Sequence, residues 1–97
     1  MSSTAQNIVT NNFGVNAIPY DVDFYVVRMT ENIYFPCNSM IFINQGSTTA
    51  IVDQMTLAPG QFFSIPGELF EEMRHRFRVS FQGAGENNLV CVFKVYR

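Results

Sequence analysis

Apolar and polar positions alternate along most of this chain, and short turn signals interrupt the alternation. The stretch from Met40 to Ile65, MIFINQGSTTAIVDQMTLAPGQFFSI, shows this most clearly. Ile41, Phe42 and Ile43 are β-branched or aromatic and suit a pleated, half-buried surface. Asn44-Gln45-Gly46-Ser47 then breaks the run, with Gly46 able to supply the positive φ of a tight hairpin turn. Thr48 to Val52 favours β structure again. Asp53-Gln54 reads as a second, poorer turn or a bulge before Met55-Thr56-Leu57. Ala58-Pro59-Gly60 is a strong stop, because Pro59 presets φ at the first central position of a turn and Gly60 supplies the positive φ of the second. Gln61 to Ile65 is the next strand, closed by Pro66-Gly67.

The same rule extends to the flanks. In Val22 to Thr30, Val22, Phe24, Val26, Arg28 and Thr30 fall on one face, and Asp23, Tyr25, Val27 and Met29 on the other. With apolar residues on both faces, this is either a central strand covered on both sides or a subunit contact. Glu31 to Asn38 contains Pro36 and predicts an edge strand or a connection. Glu68 to Met73 is ambiguous: Leu69, Met73 and Phe77 share a helical stripe, so one turn of helix fits there. From Arg74 onward alternation prevails, with Arg74, Arg76, Arg78 and Ser80 on one face and His75, Phe77, Val79 and Phe81 on the other. Gln82 to Asn88 is a glycine-containing loop. Leu89 to Tyr96 closes the chain as a strand that is apolar on both faces, which predicts a central position or a contact between chains.

Six to eight strands at short, fairly regular spacing predict an all-β fold, a small antiparallel β-sandwich or jelly-roll-like barrel. The expected organisation is an N-terminal arm over residues 1–17 and a single β-sandwich domain over residues 18–97. The arm is polar, with only Ile8-Val9 and Phe13 as anchors. It is either a frayed terminus or a segment that adds to a neighbouring subunit as a strand.

Composition narrows the function classes. The 97 residues are 47% hydrophobic and 14% aromatic, with ten Phe and no Trp, too apolar for a disordered chain. Only 14% are charged, for a formal net of −2, against about 25% in ordinary soluble domains. Much of the surface is therefore neutral, which suits a protein packed into an assembly or one rich in surface Asn, Gln, Ser and Thr. The acidic balance argues against general nucleic-acid binding, which needs a basic footprint. No apolar run approaches the ~20 residues of a membrane helix, and no basic-then-apolar leader is visible, so synthesis in a cytoplasm is expected. Cys91 reads as a buried small hydrophobe and Cys37 lies in a connection; whether they pair is open.

The Ile43-Asn44-Gln45-Gly46-Ser47-Thr48-Thr49 segment, the Leu57-Ala58-Pro59-Gly60-Gln61-Phe62-Phe63-Ser64-Ile65 segment and the closing Asn88-Leu89-Val90-Cys91-Val92-Phe93-Lys94-Val95-Tyr96 together resemble small β-rich structural proteins of tailed bacteriophages, the crAss-like phages among them. The resemblance spans residues 22–97 and rests on strand and turn patterns. It implies a non-enzymatic virion component, made in the host cytoplasm. Such a capsid decoration or auxiliary protein would touch the major capsid or other virion proteins and form a homo-oligomer. It carries over no site residues. The alternatives are a glycan- or receptor-binding module of a fibre or tail, for which Tyr20, Tyr25, Tyr34 and Tyr96 are candidates, and a small intracellular partner-binding phage protein.

Catalytic chemistry is hard to build from these residues. His75 is the only imidazole and reads as packed against the core or its edge. A metal-binding cupin needs clustered histidines, whereas a metal-free jelly roll does not. Gly83-Ala84-Gly85 lacks the following helix and Lys of a phosphate loop, and Glu71-Glu72 reads as a solvated charge run. No catalytic residue, metal, cofactor, nucleic acid or membrane is therefore assigned. The one sharp candidate is the row Arg74, Arg76 and Arg78, three of the six basic residues, spaced roughly 7 Å apart on one strand face. Either Asp or Glu of a neighbouring strand pairs with it, or it docks on an acidic surface of another subunit through bidentate guanidinium contacts.

Overall fold

A computed structural model of the protein describes residues 18–96. The arm expected over residues 1–17 lies outside the described residues. Eight strands are present in that range: β1 (Tyr20–Val27), β2 (Glu31–Tyr34), β3 (Ser39–Asn44), β4 (Thr49–Val52), β5 (Met55–Leu57), β6 (Phe62–Ile65), β7 (Arg76–Gln82) and β8 (Leu89–Tyr96). They form two four-stranded antiparallel sheets, ordered β1-β8-β3-β6 and β2-β7-β4-β5. The strand numbers of four of the pairs add to nine: β1 with β8, β2 with β7, β3 with β6 and β4 with β5. That is a long antiparallel ribbon doubled back on itself. Pairing of β3 with β8 and of β4 with β7 then rolls the ribbon into two sheets, which is jelly-roll topology.

The inward positions obey the alternation. Val27, Phe42, Leu89 and Cys91 of the first sheet and Ile33, Ala50, Val52 and Val79 of the second are all but inaccessible to solvent. Phe42 and Phe77 meet edge to face across the sandwich, with ring centroids 5.0 Å apart. At the other end of β8, Phe35 stacks on Phe93 at 4.6 Å and leans against Tyr25 at 5.1 Å. Full burial of a ring, as at Phe42, stabilises the fold by roughly 1.5–3 kcal/mol.

Four expectations change. Asn44-Gln45-Gly46-Ser47 is not a hairpin turn, because β3 and β4 belong to different sheets. The Asn44 side chain is buried and ties the crossing. Its Nδ2 donates to the carbonyls of Thr48 (2.8 Å) and Leu57 (2.9 Å), and its Oδ1 accepts from the Gly46 N–H at 3.0 Å. Gly46 serves close approach rather than positive φ: a Cβ there would overlap the Glu86 carbonyl. The poorer signal, Asp53-Gln54, makes the two-residue hairpin joining β4 to β5, with Asp53 at φ 55°. By contrast, Ala58-Pro59-Gly60-Gln61 turns as expected, with Gly60 at φ 85° and the Gln61 N–H donating to the Ala58 carbonyl at 3.0 Å.

The second change is at β1. It lies at the edge of its sheet, and among the described residues it pairs with β8 alone, so it is not a central strand covered on both faces. It ends at Val27 because Arg28 to Thr30 carry the chain across to the other sheet. β8 is central, between β1 and β3, as its two apolar faces predict. Third, Glu68 to Met73 holds no helix. Glu68 and Glu71 close one turn through the Glu71 N–H to the Glu68 carbonyl (3.1 Å) and the Glu68 N–H to Glu71 Oε1 (2.9 Å), and Phe70 sits at φ 67°. Fourth, Arg74 precedes β7 instead of belonging to it, because Met73 is held in an isolated bridge to Cys37.

Candidate functional site

The strand register decides what each sheet shows to solvent. On the first sheet, one row across the outer face runs Phe24, Val92, Ile41, Ser64, and the next runs Val26, Val90, Ile43, Phe62. A third row begins Val22, Lys94, Ser39. Eight of these eleven side chains are apolar. Phe24 is 68% exposed, Phe62 69% and Val22 47%. Lys94 is the one charged residue in these rows, and its ammonium lies over the rings of Tyr20 (5.0 Å) and Tyr96 (5.6 Å) near the end of the strand. These rows make a contiguous, largely apolar outer face.

On the second sheet the corresponding positions are mostly polar. Asn32 lies opposite Arg78 and Tyr34 opposite Arg76, and Thr49 lies opposite Gln82 and Ile51 opposite Ser80. Two of the predicted arginines, Arg76 and Arg78, share this face. Neither guanidinium faces a carboxylate on β2. The Arg76 guanidinium stacks over the Tyr34 ring at 4.6 Å, and Arg78 donates to Asn32 Oδ1 at 3.3 Å, because β2 offers neutral residues at those register positions. Arg74, outside the strand, donates its Nε–H to Glu72 Oε2 at 2.5 Å, and that carboxylate raises its pKa. The structure thus keeps two of the three in a row and satisfies the third locally.

Sequence reasoning missed Asp53. Its Oδ1 accepts from the Arg78 backbone N–H at 2.9 Å and its Oδ2 contacts His75 Nε2 at 2.9 Å. The backbone hydrogen bond, helped by His75, holds the carboxyl below the usual carboxylate range. The signal available was only that of a turn residue, and its partners lie 22 and 25 positions away. The His75 ring also meets Phe77 edge to face at 4.6 Å. The pair is solvent-exposed and braces the β4–β5 hairpin against β7.

Beside it, the seam between the edge strands β5 and β6 opens into two shallow grooves. One of about 510 Å³ is lined by Leu57, Gly60 and Phe62; the other, of about 410 Å³, is lined by Val52, Asp53 and Phe77; Met55 and Phe63 line both. Cys37 and Cys91 are both free buried thiols, and burial pushes the Cys91 thiol up to about 12 and raises that of Cys37. Neither is poised as a thiolate nucleophile. Tyr25 donates to Glu31 Oε1 at 2.9 Å, and that bond raises its pKa. Among the described residues, no group of three or more His, Cys, Asp or Glu is placed to hold a metal ion, and no helix is long and apolar enough to cross a membrane.

Comparison with known protein families, with curated proteins and with solved structures returns no match.

Proposed function

We propose that this protein is a non-enzymatic structural subunit of a phage particle, a capsid decoration or auxiliary protein. It attaches by protein–protein contact to the major capsid or other virion proteins and to copies of itself. The observation that carries the reading is the exposed apolar outer face of β1-β8-β3-β6, centred on Phe24, Val92, Ile41 and Phe62. Such a face is costly to leave in water and gains by burial against protein. The low charge content and the resemblance of its strand and turn segments to small phage structural proteins support the same reading. Arg76 and Arg78, on the opposite side of the sandwich, offer a second contact for an acidic neighbouring subunit, with Arg74 beside them. Many copies on a repeating shell reinforce it by summed weak contacts.

The deciding experiment is mass spectrometry of gradient-purified particles from the source, with copy number calibrated against the major shell protein. Stoichiometric presence is expected. A few copies per particle would move the protein to a vertex, fibre or tail, and absence would remove the virion reading.

A glycan- or receptor-binding module is the second reading, and the groove at the β5–β6 seam favours it. Its apolar floor at Met55 and Phe63 is rimmed by Gln54, Thr56 and Gln61, the mixture a small-ligand site uses. Of the tyrosine candidates, Tyr25 already spends its hydroxyl on Glu31. Binding on a glycan array that is lost on changing Gln61 would favour this reading over the first.

A further inference from the structure

We infer that the outer face of β1-β8-β3-β6 packs against the same face of a second copy, through a two-fold axis that runs along the strands between β8 and β3. The inference rests on the reading above only in taking this face to be an interface; it names the occupant.

The argument is one of size and charge within the face's own rows. In the row Phe24, Val92, Ile41, Ser64, the bulkiest side chain stands at one sheet edge and the smallest at the other. A two-fold along the strands lays β1 over the second copy's β6 and β8 over its β3. Phe24 then meets Ser64, and Val92 meets Ile41. In the next row Val26 meets Phe62 and Val90 meets Ile43. In the third, Lys94 meets Ser39, so the single cation of one copy faces a hydroxyl and not its own equivalent. The perpendicular two-fold through the Phe24 row instead lays β1 on β1 and β8 on β8, setting Phe24 against Phe24 and the Lys94 ammonium against Val90. Only the first arrangement is self-complementary, which is what an isologous interface requires. Aligned packing of two sheet faces is also the geometry that twisted sheets adopt.

The area sets the strength. The four strands are eight, eight, six and four residues long, so the face measures about 21 Å by 19 Å, roughly 400 Å² on each copy. Two copies bury about 800 Å², in the range of weak, transient interfaces. The dimer is therefore reversible and dependent on concentration.

Sedimentation equilibrium on the purified full chain tests this without particles or any other protein. The mass should rise from one chain to two with concentration. Phe24→Ser and Ser64→Phe, each alone, should weaken association by about tenfold, the first by leaving a hole and the second by setting ring against ring. Both together should restore it, because the ring and the hydroxyl have exchanged sides. Phe24 and Ser64 are exposed, so unchanged thermal melts check that the variants fold. A wild-type chain that stays a single copy at every concentration overturns the inference, and so does a double variant as weak as the singles. If the wild-type chain is a single copy and Phe24→Ser instead abolishes attachment to purified particles, the shell occupies this face: the inference falls and the reading as a particle subunit stands.

Discussion

The two sheets share one core and follow one alternation rule, yet they turn opposite surfaces to solvent. On β2-β7-β4-β5, the residues facing away from the core are Asn32, Tyr34, Arg76, Arg78, Ser80 and Gln82, with Ile51 the main apolar exception. Their polar groups are partly engaged with one another, as in the Arg76–Tyr34 stack and the Arg78–Asn32 hydrogen bond. On β1-β8-β3-β6, eight of the eleven equivalent positions are Val, Ile or Phe, and Val22, Phe24, Val26, Ile41 and Phe62 among them are exposed. The core accounts for the inward half of both sheets, and hydration accounts for the outward half of only one. A sandwich that needed nothing beyond its own stability would carry polar residues on both outer faces. The surplus on one face is the surface that the proposed assembly would bury.

The largest expected effect breaks the comparison by removing both faces at once. Asn44 belongs to β3 of the first sheet and donates to the Leu57 carbonyl of the second. Asn44→Ala leaves two buried carbonyls and the part-buried Gly46 N–H without their partner and should cost about 3–5 kcal/mol. Chemical denaturation measures it, and a loss under about 1 kcal/mol would mean that Asn44 does not hold the crossing.

The next effect separates the faces. Val92→Lys, at the centre of the apolar face, should abolish self-association while shifting stability by no more than about 1 kcal/mol. The check is a pair of measurements on one sample, mass in solution and melting temperature. A variant that still associates would show that the face is not the interface.

The reciprocal change is made on the polar side. Arg74→Glu, Arg76→Glu and Arg78→Glu together should leave the solution mass unchanged and abolish attachment to particles. The lost stack of Arg76 on Tyr34 costs about 0.5–1 kcal/mol. Attachment that survives would exclude the arginines from docking.

The smallest effect concerns pH. Asp53 is held below the ordinary carboxylate range by the Arg78 N–H and by His75. A carboxylate favoured in the fold contributes stability that is complete above its unfolded pKa of about 4 and is lost as pH falls through its lower folded value. Wild type should exceed Asp53→Asn in melting temperature near neutral pH, and the gap should close on acidification. A gap independent of pH would show that the charge of Asp53 plays no part.

Much of this architecture was legible residue by residue. Phe42, Val52, Val79, Leu89 and Cys91 fall inward because side chains alternate across a strand, and each is buried. The Pro59-Gly60 turn was legible because both residues carry their backbone preference with them. The Asn44 to Ser47 connection was not: its chemistry suits a hairpin, yet a buried Asn44 and the close approach of Gly46 to Glu86 make it a crossing between sheets. Asp53 was equally hidden, since a turn residue gives no sign of partners more than twenty positions away. The arginine row was visible as a pattern, but its register opposite Asn32 and Tyr34, and not opposite acids, was set by which strand lies alongside.

By itself the sequence determined that the chain is all-β, where most strands begin and end, and which side chains within each strand share a face. These are local consequences of side-chain alternation and of turn residues. Only the tertiary structure decided which sheet each strand joins, because β1 with β8 and β2 with β7 are pairings between distant segments that periodicity cannot name. That decision places Val22, Phe24, Val26, Val90, Val92, Ile41 and Ile43 side by side. In the sequence they are the second faces of three separate strands; in the folded molecule they are one surface.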